Sequence, residues 1–360
     1  MKWHDDLMLA NVDRRRGVLQ MAMYAAMHVG SGNSLLCKCV KVGTVKKYVY
    51  CVATFLALHH PKGWDFRRSG PGEQKFSAEL DAVYTELQRW EKVPDRREPF
   101  TIQMLEALTE MVKNLPFLSL KPALRDWFLA GLFAALRLGE WAQESGSHDP
   151  SSPRKNIFGD PMAWCLNDIR AETFDMVQLV GAAILSVPVD SIAKMWPKWR
   201  TQKNGDNHEE KLFAQNPDGG YDFIHPMYNI IKRFVALRGP NDTTTPLALY
   251  STSGVQGSKA RSDVRLITST EIEAVMREVA AIVYNLDPVK HKEALKRWSA
   301  HSLRVGACVL LHALGFTAEQ IQFLLRWRSL AFMTYLRNTA LLAITQAAAF
   351  DKVAAMPHFV

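Results

Sequence analysis

The sequence predicts a mainly α-helical protein with a small antiparallel β-sheet, divided into a helical N-terminal domain and a larger second domain. Three observations predict it. Apolar residues recur at helical spacing over most of the chain, short β-type runs are confined to its middle, and a charged, proline-bearing stretch, KVPDRREPFT, separates two helical blocks. With 360 residues, 48% hydrophobic and 22% charged, the chain has the length and balance of a two-domain globular protein.

The first domain, residues 1–95, rests on helical periodicity at Val18 to Met27, Thr44 to Leu58 and Ala78 to Trp90, broken at GSGN, HHPKGW and SGPGEQ. The second domain, residues 96–360, opens with Thr101 as the cap of a helix from Ile102 to Asn114. An apolar helix follows Pro122 and runs into LRLGE, with Gly139 as its expected stop. QESGSHDPSSPRK reads as an exposed loop. Three β-type runs come next, GAAILSVPV, SIAKMWPKW and EKLFAQN, the last two joined by the polar turn TQKNGDN. Helix returns at His225 to Leu237, gives way to the polar loop STSGVQGSKARSD, and persists from Thr270 onward.

The net charge of +8 and pI of about 9.2 favour an anionic partner, nucleic acid being the usual one. Residues 1–98 hold 16 Lys or Arg against 11 Asp or Glu, so they carry +5 of that total. The longest apolar run, Trp127 to Leu136, covers half of the roughly 18–20 residues that span a bilayer, so no membrane partner is expected. The opening MKWHDDLMLA puts acidic residues where a secretory signal has its apolar stretch, so the expected location is intracellular. Five cysteines without a CxxC pair and eleven histidines without HExxH support neither a disulfide frame nor a zinc site, and no cofactor is expected.

The chemistry-bearing segment is HSLRVGACVLLHALGFTAEQIQFLLRWRSLAFMTYLRN. On a helix starting near His301, Arg304 shares a stripe with Val305, Cys308 and Leu311, so a full charge is set against the core. Such a charge is expensive unless a carboxylate or a ligand anion meets it. Arg137 repeats the pattern at the end of the apolar run WFLAGLFAALRLGE. Two readings stay open: a phosphate clamp made of both arginines, or separate pairing of each with a carboxylate such as Glu140.

In these residues the chain resembles the tyrosine recombinase and integrase family. His301, Arg304, Trp327 and Tyr335 stand in the order of its second box, and LRLGE around Arg137 is similar to its first. The resemblance covers about residues 98–345, and the texture of HSLRVGA, RWRS and YLR is closest to Crypton- or DIRS-type transposon recombinases. Trp327 and Tyr335 are eight apart, one fewer than in many members. The glycine usual before the His or Trp is here Arg326, and the stretch between the boxes is long.

The resemblance implies a core-binding domain, a catalytic domain, and cleavage and rejoining of double-stranded DNA through a 3′-phosphotyrosine, without metal or ATP. It implies Tyr335 as nucleophile, His301 as base, and Arg137 and Arg304 as stabilisers of the transition state. Trp327 packs against the site, and Glu140 and Ser302 stand behind it as supports. The family's hairpin lysine matches Lys203, with Lys198 and Lys211 close by as alternatives. Exchange of C-terminal helices, here Thr339 to Met356, would build a homo-tetramer on two DNA sites. The alternatives are a catalytically silent DNA-binding relative and a DNA-relaxing enzyme of the type IB topoisomerase class.

Overall fold

The protein is described as a computed structural model covering residues 41–59, 78–90, 97–143, 148–156, 158–200, 207–255, 263–327, 332, 333 and 336. The chain divides into two compact units, Met1–Pro94 and Asp95–Val360. About half of the described residues are helical, with a small antiparallel sheet, as the apolar spacing predicts.

In the first unit α1 (Val42–His59) packs against α2 (Ala78–Trp90). Val42, Val45 and Val49 on one helix and Leu80, Tyr84 and Leu87 on the other are buried, the three-and-four spacing of an amphipathic stripe. Lys46 Nζ lies 4.8 Å from the centre of the Tyr84 ring, and burial pushes the Tyr84 hydroxyl up to about 12. The expected helix at Val18 to Met27 lies outside the described residues.

The second unit begins with α3 (Ile102–Val112), whose cap, Thr101 Oγ1, accepts from the Met104 N–H at 3.3 Å. The next helix, α4 (Leu120–Ala134), is buried along most of its length. Its end differs from the expectation. The stop is Ala135, in the left-handed region at φ 46°, while Gly139 lies inside a separate short helix, α5 (Leu138–Trp141). The reason is that Leu136 is drawn into the core, so the chain must turn before the glycine.

The sheet has the order β2-β1-β3-β4, all antiparallel, from β1 (Ile169–Thr173), β2 (Gln178–Val180), β3 (Ile192–Pro197) and β4 (Phe213–Ala214). SIAKMWPKW and EKLFAQN supply β3 and β4 as expected. GAAILSVPV does not form a strand. Gly181–Ser186 is a 3-10 helix that opens on Gly181 at φ 58°, where a Cβ would stand 2.9 Å from Asn167 Oδ1. Pro188, without an N–H, cannot join a central ladder, and the first two strands, β1 and β2, come from IRAET and QLV instead.

Beyond the sheet, α6 (Ile224–Arg238) crosses α4, and a fully buried ion pair, Arg233 Nη2 to Asp126 Oδ2 at 2.7 Å, joins the two. The polar STSG loop is the connection of a hairpin, β5 (Leu249–Ser251) with β6 (Val264–Leu266). There follow α7 (Ser269–Val283), α8 (Lys292–Leu295), α9 (Ser302–Ala313) and α10 (Ala318–Leu324). No described helix is long and apolar enough to cross a membrane. Helix α9 packs on α4 closely enough that a Cβ on Gly131 would lie 2.9 Å from Leu303 Cδ1.

Candidate active site

Two helix ends make the site. At the C-terminus of α4 the N–H groups of Ala135 and Leu136 both return to the Gly131 carbonyl. At the C-terminus of α10 the Arg326 N–H returns to the Phe323 carbonyl and the Trp327 N–H to the Gln322 carbonyl, at 3.3 and 2.9 Å. Both closures require a left-handed residue, usually glycine, and neither has one: Ala135 stands at φ 46° and Arg326 at φ 56°.

Around the first of these turns three guanidinium groups gather. Arg304, on α9 and 2% exposed, donates from Nη1 to the Ala135 carbonyl. Arg326, 6% exposed, donates from Nη2 to the preceding carbonyl, Ala134, at 3.2 Å. Arg137 caps α5, with its side chain 26% exposed. Glu140, 4% exposed, accepts from Arg137 and Arg326: Oε1 takes Arg137 Nη1 at 2.8 Å, and Oε2 takes the Arg137 N–H at 3.0 Å and Arg326 Nη2 at 3.1 Å. The Trp199 indole N–H also donates to Oε2, at 3.2 Å. Burial by itself would raise the Glu140 carboxyl, but the Arg326 charge, the Arg137 N–H and the Arg137 charge outweigh it and hold the group below the usual range.

Two indole rings floor the cluster. The Arg326 guanidinium lies 3.8 Å from the centre of Trp199, and that of Arg304 lies 4.5 Å from the centre of Trp327. Trp199 is itself set edge-on against Trp164, which neighbours Trp127, so the stacking reaches into the core of α4. Planar, charged groups resting on ring faces lose little freedom when an anion arrives.

Arg137, Arg304, Trp327 and Glu140 therefore come together. His301 lies at the start of α9, exposed, with its carbonyl accepting from the N–H groups of Arg304 and Val305. Ser302 is buried but faces elsewhere: its Oγ accepts from the Ser299 N–H at 3.0 Å and its carbonyl from the Phe100 N–H at 3.0 Å, which anchors α9. Lys203 and Tyr335 lie outside the described residues, as does the tail from Thr339 to Met356. The chain on either side of Tyr335 is described at Phe332 and Leu336, both buried in one cluster with Ala135, Ala307, Cys308 and Ile321.

Two residues of the cluster, Trp199 and Arg326, are absent from the set expected from sequence, and Lys211 stands in it only as an alternative to Lys203. Lys211 donates from Nζ to the Leu324 carbonyl and lies on the wall of an apolar cleft of about 530 Å³ between α4, α9 and α10. Burial first, and the Arg326 charge second, pull its ammonium down to about 8 against the opposing charge of Glu209. Lys198 directly follows β3, its N–H bonded to the Asp168 carbonyl and its backbone in a β-bridge with that of Glu210. Among the described residues no three His, Cys, Asp or Glu side chains gather as a metal ligand set.

No family model and no curated protein matches the chain. Among solved structures it is similar to the Tn1549 transposon integrase in complex with transposon right end DNA, at a TM-score of 0.45 and 11% identity over 94% of this chain and 85% of that one. The same integrase in complex with a circular intermediate DNA gives a TM-score of 0.44 and 13% identity, over 88% and 80%. XerA recombinase gives a TM-score of 0.35 and 12% identity, over 91% and 97%.

Proposed function

We propose that this chain is a site-specific DNA recombinase or integrase of the tyrosine kind, cutting and rejoining duplex DNA without metal or ATP. One observation carries the reading: three guanidiniums meet around one turn, two of them buried and lying on the faces of indole rings, so forked cationic donors converge on one place. A phosphodiester is an anion whose nonbridging oxygens suit such donors.

In this reaction the Tyr335 oxygen attacks phosphorus while its proton passes to His301, and the bond to the 5′ oxygen breaks as Lys203 protonates the leaving group. Arg137 and Arg304 stabilise the charge spread over the nonbridging oxygens, and Trp327 packs behind them. The 3′-phosphotyrosine keeps the bond energy, so a 5′ hydroxyl from a second strand reverses the step. The 1–95 region serves as a clamp on the duplex, and four copies assemble on two sites.

The test is a pool of nicked duplexes with randomised centres, in which the cut fragment escapes and traps an adduct stable to SDS. The native chain forms the adduct and Tyr335→Phe does not. Arg137→Ala slows its formation by about 100-fold or more if the guanidinium meets the transition state. A loss below about tenfold shows that the pair with Glu140 is only structural. The eight-residue spacing of Trp327 and Tyr335, with that pairing, favours a second reading: a DNA-binding relative that no longer cuts. It predicts salt-sensitive duplex binding and no adduct.

A further inference from the structure

Arg326 is an unfavourable choice on two counts. Its backbone is left-handed at φ 56°, where any Cβ is strained, and its guanidinium is buried. A glycine would satisfy the closure of α10 without either difficulty. The side chain must therefore be placed for what it holds.

It holds three things at once. Its Nη2 grips the Glu140 carboxylate, which also receives Arg137, and the Ala134 carbonyl, which precedes the carbonyl that receives Arg304. Its guanidinium rests 3.8 Å from the ring centre of Trp199, two residues beyond β3. The next residue, Trp327, is the ring under Arg304. Residues 326 and 327 thus connect the end of α10 to both of the other guanidiniums, one through a shared carboxylate and one through a shared ring and turn.

We infer that Arg326 is a positioning residue, a brace that fixes Glu140 and the 134–137 turn so that Arg137 and Arg304 are held in the geometry that receives one phosphate. It touches no reacting atom. The inference rests on reading the site as a phosphodiester pocket. The alternative is an ordinary buried ion pair that stabilises the fold and nothing else.

Two variants separate these: Arg326→Gly, which relaxes the backbone and removes the brace, and Arg326→Lys, which keeps a charge but has no planar group to lie flat over Trp199. Three quantities are measured on the full chain: melting temperature, affinity for a fluorescein-labelled 40-base-pair duplex, and the rate of adduct formation at saturating nicked duplex. The brace predicts that Arg326→Gly melts within a few degrees of native and binds duplex within about threefold, yet forms adduct roughly 100-fold more slowly. Arg326→Lys restores less than about a tenth of that rate. An adduct rate within about threefold of native overturns the inference, as does a rate loss matched by an equal loss of affinity or folding. If the native chain forms no adduct, the proposed function fails on its own, and relaxation of the Arg137 Nε–Hε group decides the brace. Order in native that is lost in Arg326→Gly supports it, and unchanged order overturns it.

Discussion

Lys211 shows at the scale of one residue how the site opposes stability. Its ammonium is held at about 8 chiefly by burial, and then by Arg326. Between that value and the ordinary 10.5 the unfolded chain binds the proton that the folded chain has released, so stability should rise with pH across this window, by at most about 1.4 kcal/mol per pH unit. Below pH 8 both states are protonated and the full cost of burying the charge is present. Replacing the lysine by an apolar chain of similar length, Lys211→Met, should raise the melting temperature at pH 7, with the gain shrinking toward pH 10.5. An unchanged difference across that range would remove burial of the charge as the cause. Residues of this kind differ in how legible they are. Arg137 and Arg304 can be read from sequence because each is a cation on an apolar stripe. Arg326 is legible only as an arginine directly after an amphipathic helix, where glycine is usual. Its contacts with Glu140 and Trp199 depend on a fold that brings residues more than a hundred positions apart together.

Among the elements, α9 matters most because it carries His301 and Arg304. It is pressed against the segment before α3: a Cβ on Gly306 would lie 2.1 Å from the Phe100 carbonyl oxygen. That segment cannot withdraw. The Phe100 N–H bonds Ser302, the Glu98 N–H bonds the Arg297 carbonyl, and the Trp298 indole N–H bonds the Pro99 carbonyl. In an exposed helix a glycine-to-alanine change stabilises by about 1 kcal/mol. Here the clash outweighs it, and Gly306→Ala should destabilise by about 1–3 kcal/mol in urea unfolding and slow adduct formation by displacing Arg304. Gly43→Ala on α1, where nothing lies within 4 Å, is the matched control and should stabilise. The longer helices were readable because apolar spacing over eleven or more residues leaves a clear period, as in α3 and α6. The sheet was less readable: strands of two to six residues are too short for alternation to show, and the apolar run GAAILS reads alike as strand or tight helix.

For the whole molecule the governing quantity is the net charge of +8, five of it in residues 1–98. Binding to duplex DNA through many phosphate contacts makes the logarithm of affinity fall linearly with the logarithm of salt, by about 0.9 for each phosphate neutralised. A chain that clamps DNA with its N-terminal unit as well as the arginine cluster should give a slope of about −4 or steeper in anisotropy titrations. A slope shallower than about −2 would confine the contact to the cluster. The mainly helical class with a small sheet was legible in composition and period, since both average over the whole chain. The site was legible only in part, because it is assembled from helix ends, and the residue that closes a helix is chosen by what the fold brings against it.

The left-handed arginine at the end of α10 also has a genetic consequence. Every arginine codon becomes a glycine codon by a single base change, so the substitution that relieves this backbone is always within reach of mutation. If the proposed strand joining is what keeps the arginine, then in copies of the gene no longer selected for it position 326 should be among the earliest to drift, and to drift toward glycine.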